Sequence, residues 1–148
     1  MKHILYATGY KYQLRIAYVG EMPELADTTG RAPIRTRWIE LEPNGVMSIA
    51  AGYAWDGASG PTIDTSDTMR ASLGHDAGYQ LLRLGLLQQS ARPTIDLIFR
   101  RVCKEDGMWG PRAELWYHAV RLFGKPFADP AKQEPDIWAP RDPDAHVK

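Results

Sequence analysis

The sequence contains a single cysteine, Cys103, and so excludes an internal disulfide framework and a multi-cysteine zinc site. Its setting in "LIFRRVCKE" suits a small core residue. There is no net charge: eighteen Lys and Arg balance eighteen Asp and Glu. A global drive toward nucleic acid or acidic membranes is thereby excluded, and no nucleic-acid partner is expected. Arg100, Arg101, Lys104 and Arg112 cluster locally, which reads first as a solvated helix face. No apolar run approaches the roughly 18 residues of a membrane span. The start, "MKHILYATGYKY", is too short and polar for a signal peptide, so synthesis in a cytoplasm is expected.

What is present is ordinary globular material: 148 residues, 44% of them hydrophobic and 24% charged, enough for one domain with its own core. Five Trp and seven Tyr are many for this length, and aromatics of that density fill cores or interfaces.

The first third reads as β. Residues 12–18 alternate, with Leu14, Ile16 and Tyr18 on one face and Gln13, Arg15 and Ala17 on the other. A polar loop with Pro and Gly follows, "GEMPELADTTGRAP". Trp38, Ile39 and Leu41 then lead into Pro43-Asn44-Gly45, a strong hairpin turn, and Val46 to Tyr53 is the return strand. "AWDGASGPTIDTSD" is dense in turn formers and ends in residues able to cap a helix.

The remainder reads as helical. A first helix is expected from that cap to about Leu84–Leu87. A second is capped by Ser90 or Thr94, with Pro93 in its first turn and Ile95, Ile98, Phe99 and Val102 as its stripe, and it stops at Asp106-Gly107. A third spans about Pro111 to Phe123, with Leu115, Ala119 and Leu122 facing the core and Gly124 as C-cap. The fold class is therefore α+β: a small antiparallel sheet, then three packed helices in residues 1–124. A Pro-rich extended tail occupies residues 125–148, with Phe127, Ile137 and Trp138 able to pin it.

The stretch "SLGHDAGYQLL" carries the candidate chemistry. His75 and Tyr79 are four apart and share a helix face. Gly74 and Gly78 each cost roughly 1 kcal/mol in a helix interior, so a packing or functional reason is expected. The space they leave suits either a close helix or a ligand. The short connection to the second helix makes the two antiparallel neighbours, and Asp96 is then placed to meet His75. An Asp bonded to a His raises its basicity, which is half of a general-base device. Asp76 points away from His75 toward the loop of Asp56, Gly57 and Ser59. Carboxylates and loop carbonyls there suit a divalent cation such as calcium. The candidate catalytic residues are thus His75, Asp96 and Tyr79, and the candidate metal ligands are Asp56 and Asp76. The bland alternatives are a buried polar network, pairing of Asp76 with Arg70 or Arg83, and a helix-dipole role for Asp96. His118 reads as structural, and His3 and His146 are poor candidates.

The series "WDGASGP", "ASLGHDAGY", "IDLIF" and "AVRLFG" resembles a bacteriophage-associated family of domains of unknown function, over about residues 35–124. That resemblance implies a phage or prophage origin and no established activity. Together with the many aromatics and the Pro-rich tail bearing Trp138, it points to a place in the virion or tail, with phage structural proteins or host envelope components as expected partners. A weaker resemblance is to secreted phospholipases of the A2 class. It implies His75 as base, Asp76 as calcium ligand and Asp96 as orienting acid. The chain departs from that class in lacking its flanking cysteines and its Tyr-Gly-Cys-x-Cys-Gly loop. Two functions follow as expectations: a hydrolase acting on host lipid or cell wall, or a non-enzymatic particle component.

Overall fold

Alternating apolar residues around a tight turn build the centre of the sheet. In the computed structural model, which describes residues 4–6, 11–57, 65–132 and 137–139, strand β5 (Ile39–Leu41) pairs antiparallel with β6 (Val46–Ile49). The register sets Ile39 against Ile49 and Leu41 against Met47, and all four are buried. Each such side chain contributes roughly 1.5–3 kcal/mol by leaving water. The turn is the expected one: Gly45 takes φ of +84°, and its amide donates to the Glu42 carbonyl at 2.9 Å. Strands β3 (Tyr18–Glu21) and β4 (Ile34–Arg35) complete a four-stranded antiparallel sheet in the order β3-β6-β5-β4.

The strand expected over residues 12–18 is two strands. β2 (Tyr12–Gln13) pairs with β7 (Ala54–Trp55), whereas β3 pairs with β6. Leu14 still bonds Tyr53 and Gly52, but the chain then bends to change partners, and Ile16 is left 78% exposed. For the same reason the return strand ends at Ile49, and the loop expected after it contains β7. The polar loop before the hairpin also holds a buried turn. Pro23–Leu25 form a 3-10 turn that sinks Met22 and Leu25 into the core. β1 (Ile4–Tyr6) pairs with β8 (Ile137–Ala139), so part of the tail region returns to the start of the chain.

Helix α1 (Ser66–Arg83) starts at Thr65, whose amide donates to Thr68 Oγ1 at 2.9 Å, and ends as expected. It is central, with most of its length buried. Helix α2 (Arg92–Glu105) runs antiparallel to it: Arg70 near the start of α1 binds Asp106 beyond the end of α2. Neither Ser90 nor Thr94 caps α2. Ala91 holds that position, Thr94 lies within the helix, and Ser90 sits in a 3-10 turn, Gln89–Ala91.

Helix α3 (Gly110–Phe123) is rotated from the expected orientation. Ala113, Trp116 and Val120 face inward, while Leu115 and Leu122 are 69% and 73% exposed. Trp116 supplies the large buried surface, and the small Ala113 and Val120 let the helix approach. The local basic cluster is taken up in ion pairs: Arg100 and Lys104 with Glu114, Arg101 with Glu24 and Glu105, Arg112 with Asp67. Past α3, Lys125–Ala128 and Pro130–Lys132 form 3-10 turns, and Ala128 is buried with its carbonyl bound by Gln89. Cys103 is a core thiol, pushed by burial up to about 12. Among the described residues no helix is long and apolar enough to cross a membrane.

Candidate active site

His75 and Asp96 meet across the α1–α2 interface. His75 Nε2 lies 2.8 Å from Asp96 Oδ1, and Tyr79, one turn on, donates its hydroxyl to the same oxygen at 2.7 Å. The spacing of four places both donors on one face of α1. Asp96 is completely buried and His75 is 3% exposed. A buried carboxylate is stable only when its lone pairs are filled. Here a third donor completes it: Arg121 Nη1 binds Asp96 Oδ2 at 2.7 Å.

Arg121 and Arg92 are the residues that the sequence reading missed. Arg92 Nε donates to the Tyr79 hydroxyl at 3.0 Å, and its Nη2 reaches the Arg121 carbonyl at 2.6 Å, binding an otherwise open end of α3. A signal for Arg121 was nonetheless present. It belongs to the "AVRLFG" stretch, and so does Gly124, where an added Cβ would lie 2.6 Å from the Tyr79 hydroxyl. Gly124 is therefore needed for close approach; its φ of −76° is not a left-handed cap.

The glycines of α1 are explained in the same way. A Cβ at Gly78 would meet Ile95 at 3.1 Å, and one at Gly74 would meet Met22 at 2.7 Å. The space they leave beside His75 is therefore filled by the neighbouring core side chains Ile95 and Met22.

The other imidazole nitrogen faces Asp76. His75 Nδ1 lies 3.7 Å from Asp76 Oδ1, an ion-pair approach longer than a hydrogen bond. Asp76 also points where expected, toward the loop: its Oδ2 accepts the Asp56 amide at 3.4 Å. Trp55 Nε1 donates to Ser72 Oγ at 3.2 Å and ties β7 to α1 just beside this contact. Arg70 is taken by Asp106 and Glu105, so it does not pair with Asp76. Ser59 and the rest of residues 58–64 lie outside the described residues, as do His3 and His146; His118 is exposed and stacks near Tyr117.

A cavity of about 260 Å³ opens on this side of α1. Asp76, Tyr79, Gln80 and Arg83 form its α1 wall, Tyr53 to Gly57 the facing wall, and Phe127 part of its rim. Asp76, with 19% of its side chain exposed, fronts the cavity, and His75 stands behind it. Of the two, Asp76 is thus the titratable group that faces the cavity, and His75 is reached only behind it.

The electrostatics follow the geometry. Burial disfavours a charged His75, but the Asp76 and Asp96 carboxylates outweigh it and raise its pKa above 6.5. Burial would likewise raise Asp96, yet His75, Arg121 and Tyr79 together hold it below 3.8. In Asp76 burial prevails: it lifts the carboxyl above 3.8 against the pull of His75 and the Asp56 amide, and the Asp56 charge adds to the rise. Two neighbouring carboxylates are thereby pushed apart, one kept ionised and one made easier to protonate. That is the pattern of paired acid–base roles.

A calcium cage needs about six to eight oxygens. Among the described residues no group of three or more His, Cys, Asp or Glu could hold a metal. Asp76 and Asp56 each already accept a backbone amide, the latter from Lys11 at 3.2 Å. Among the described residues Asp56 and Asp76 alone do not complete such a cage, and loop residues 58–64 lie outside them.

No family model, no curated protein and no solved structure matches the chain.

Proposed function

We propose that the protein is a phage- or prophage-encoded hydrolase of the host envelope, carried in or near the virion or tail, with Asp76 as its acid–base group. The observation that carries this is the line Asp76–His75–Asp96, running from the cavity wall into a fully satisfied buried anchor. The resemblance of the motif series to the phage-associated family is what suggests the origin. In the reaction, Asp76 takes a proton from water as its oxygen bonds to the substrate carbonyl carbon. The bond to the leaving group then breaks, and Asp76 returns the proton to that group. His75 keeps Asp76 ionised until it takes that proton, and Asp96, held by Arg121 and Tyr79, keeps the imidazole oriented.

The test is turnover on isolated bacterial cell walls and on lipid vesicles, reading released amine or fatty acid. Asp76→Asn is expected to lose at least about 100-fold in rate while melting like the wild type. Equal rates for variant and wild type, or no turnover by the wild type on either material, would overturn the reading. The burial of His75 favours a second reading, a particle component whose polar network only fixes helix packing. In that case the protein is found in purified virions and Asp76→Asn assembles normally.

A further inference from the structure

The cavity wall contains more than the proton-transfer group. Asp76, Gln80 and Arg83 are spaced by four and three residues, so they form one ladder on α1, and all three line the cavity. The ladder rises about 10 Å at 1.5 Å per residue. Its order is acid, amide, guanidinium.

Arg83 differs from the arginines of α2 and α3, each of which approaches a carboxylate. Its Nη1 donates to the Phe127 carbonyl at 2.7 Å, and among the described residues it pairs with no carboxylate. That bond fixes the guanidinium at the rim and leaves it donors to spare. A planar cation so placed on a concave wall is a receptor for carboxylate or phosphate. Gln80 carries one donor group and one acceptor, the complement of a peptide amide.

Resting on the hydrolase reading, we infer that the cavity takes the free carboxylate end of a short peptide. Arg83 binds the terminal carboxylate, Gln80 pairs with the neighbouring amide, and an amide further in lies at Asp76. An extended chain covers about 3.3–3.6 Å per residue, so about three residues span the ladder. The substrate class is then a carboxylate-terminated peptide, as at the ends of cell-wall stem peptides. Cleavage inserts water across one amide and releases a short acid-ended fragment.

Calorimetric titration of the full chain tests this with N-acetyl-trialanine, its C-terminal carboxamide, and inorganic phosphate. The free acid is expected to bind at least tenfold tighter than the carboxamide and than phosphate. Arg83→Met removes the preference, and Arg83→Lys keeps part of it. Equal binding of acid and carboxamide, binding of neither, or tighter binding of phosphate would overturn the peptide assignment. Asp76→Asn separates the two readings. If it binds the acid but no longer cleaves, both stand. If it still cleaves, the acid–base role fails while an Arg83-dependent preference keeps the carboxylate subsite.

Discussion

Replacing Asp96 by Asn keeps the shape of the side chain and removes its charge. Three donors converge on that carboxylate, from His75, Tyr79 and Arg121, and it has no contact with water. An amide offers one acceptor oxygen and turns an NH2 group toward the donors. Breaking a buried ion pair from one side costs about 3–5 kcal/mol, because the partner charge stays behind. Arg121 is partly exposed and recovers some hydration, which favours the lower end, about 3 kcal/mol. For a chain near this length each kcal/mol moves the melting temperature by about 2–4 °C, so a drop of about 6–12 °C is expected. Urea unfolding with a shared slope gives the free energy directly, and a thermal melt gives the second reading. A loss below about 1 kcal/mol would refute the reasoning, since it would mean that the charge of Asp96 anchors nothing. Asp76→Asn is the internal comparison. Its carboxyl is already easier to protonate, so a neutral amide there should cost under about 1 kcal/mol.

Further outcomes follow from the packing and the titrating groups. Gly124→Ala presses a methyl onto the Tyr79 hydroxyl and the Val120 carbonyl and should cost about 1–3 kcal/mol, measured by urea unfolding. Leu122→Gln, on the outer face of α3, should change stability by no more than about 0.5 kcal/mol, whereas Trp116→Ala should cost about 3–5 kcal/mol. His75 has a higher pKa folded than unfolded, so its contribution is complete below about 6.5 and is lost as pH rises through the folded value. Melting temperature followed from pH 5 to 9 should therefore fall more steeply for wild type than for His75→Asn; parallel curves would contradict the assignment.

The meeting of His75 and Asp96 was legible in the sequence because it needs only helix periodicity and a short connection between antiparallel helices. The Asn44-Gly45 turn was legible because its φ requirement is local. Where a choice depended on tertiary partners, the sequence pattern misled. Residues 12–18 alternate along their whole length, yet the strand changes partners midway, and alternation carries no record of which strand lies alongside. In α3 the Leu115–Leu122 stripe and the Trp116–Val120 face are both apolar, and the docking of Trp116 against the core decided between them. Arg121 was missed because a long cationic side chain on a helix usually faces water; its partner Asp96 lies 25 residues away in sequence. The bulk of the "DGASGP" loop lies outside the described residues, and its expected role stays an expectation.

The line from cavity to anchor is tested most directly at Asp76 itself. Carbon-13 NMR of the side-chain carboxyl, followed through an acid titration, reads its protonation without a substrate. The carboxyl should titrate above 3.8 in the wild type, because burial outweighs the pull of His75. It should move higher still in His75→Asn, where the neighbouring positive charge is gone. A carboxyl that titrates at or below 3.8, and does not respond to loss of the imidazole, would contradict the account.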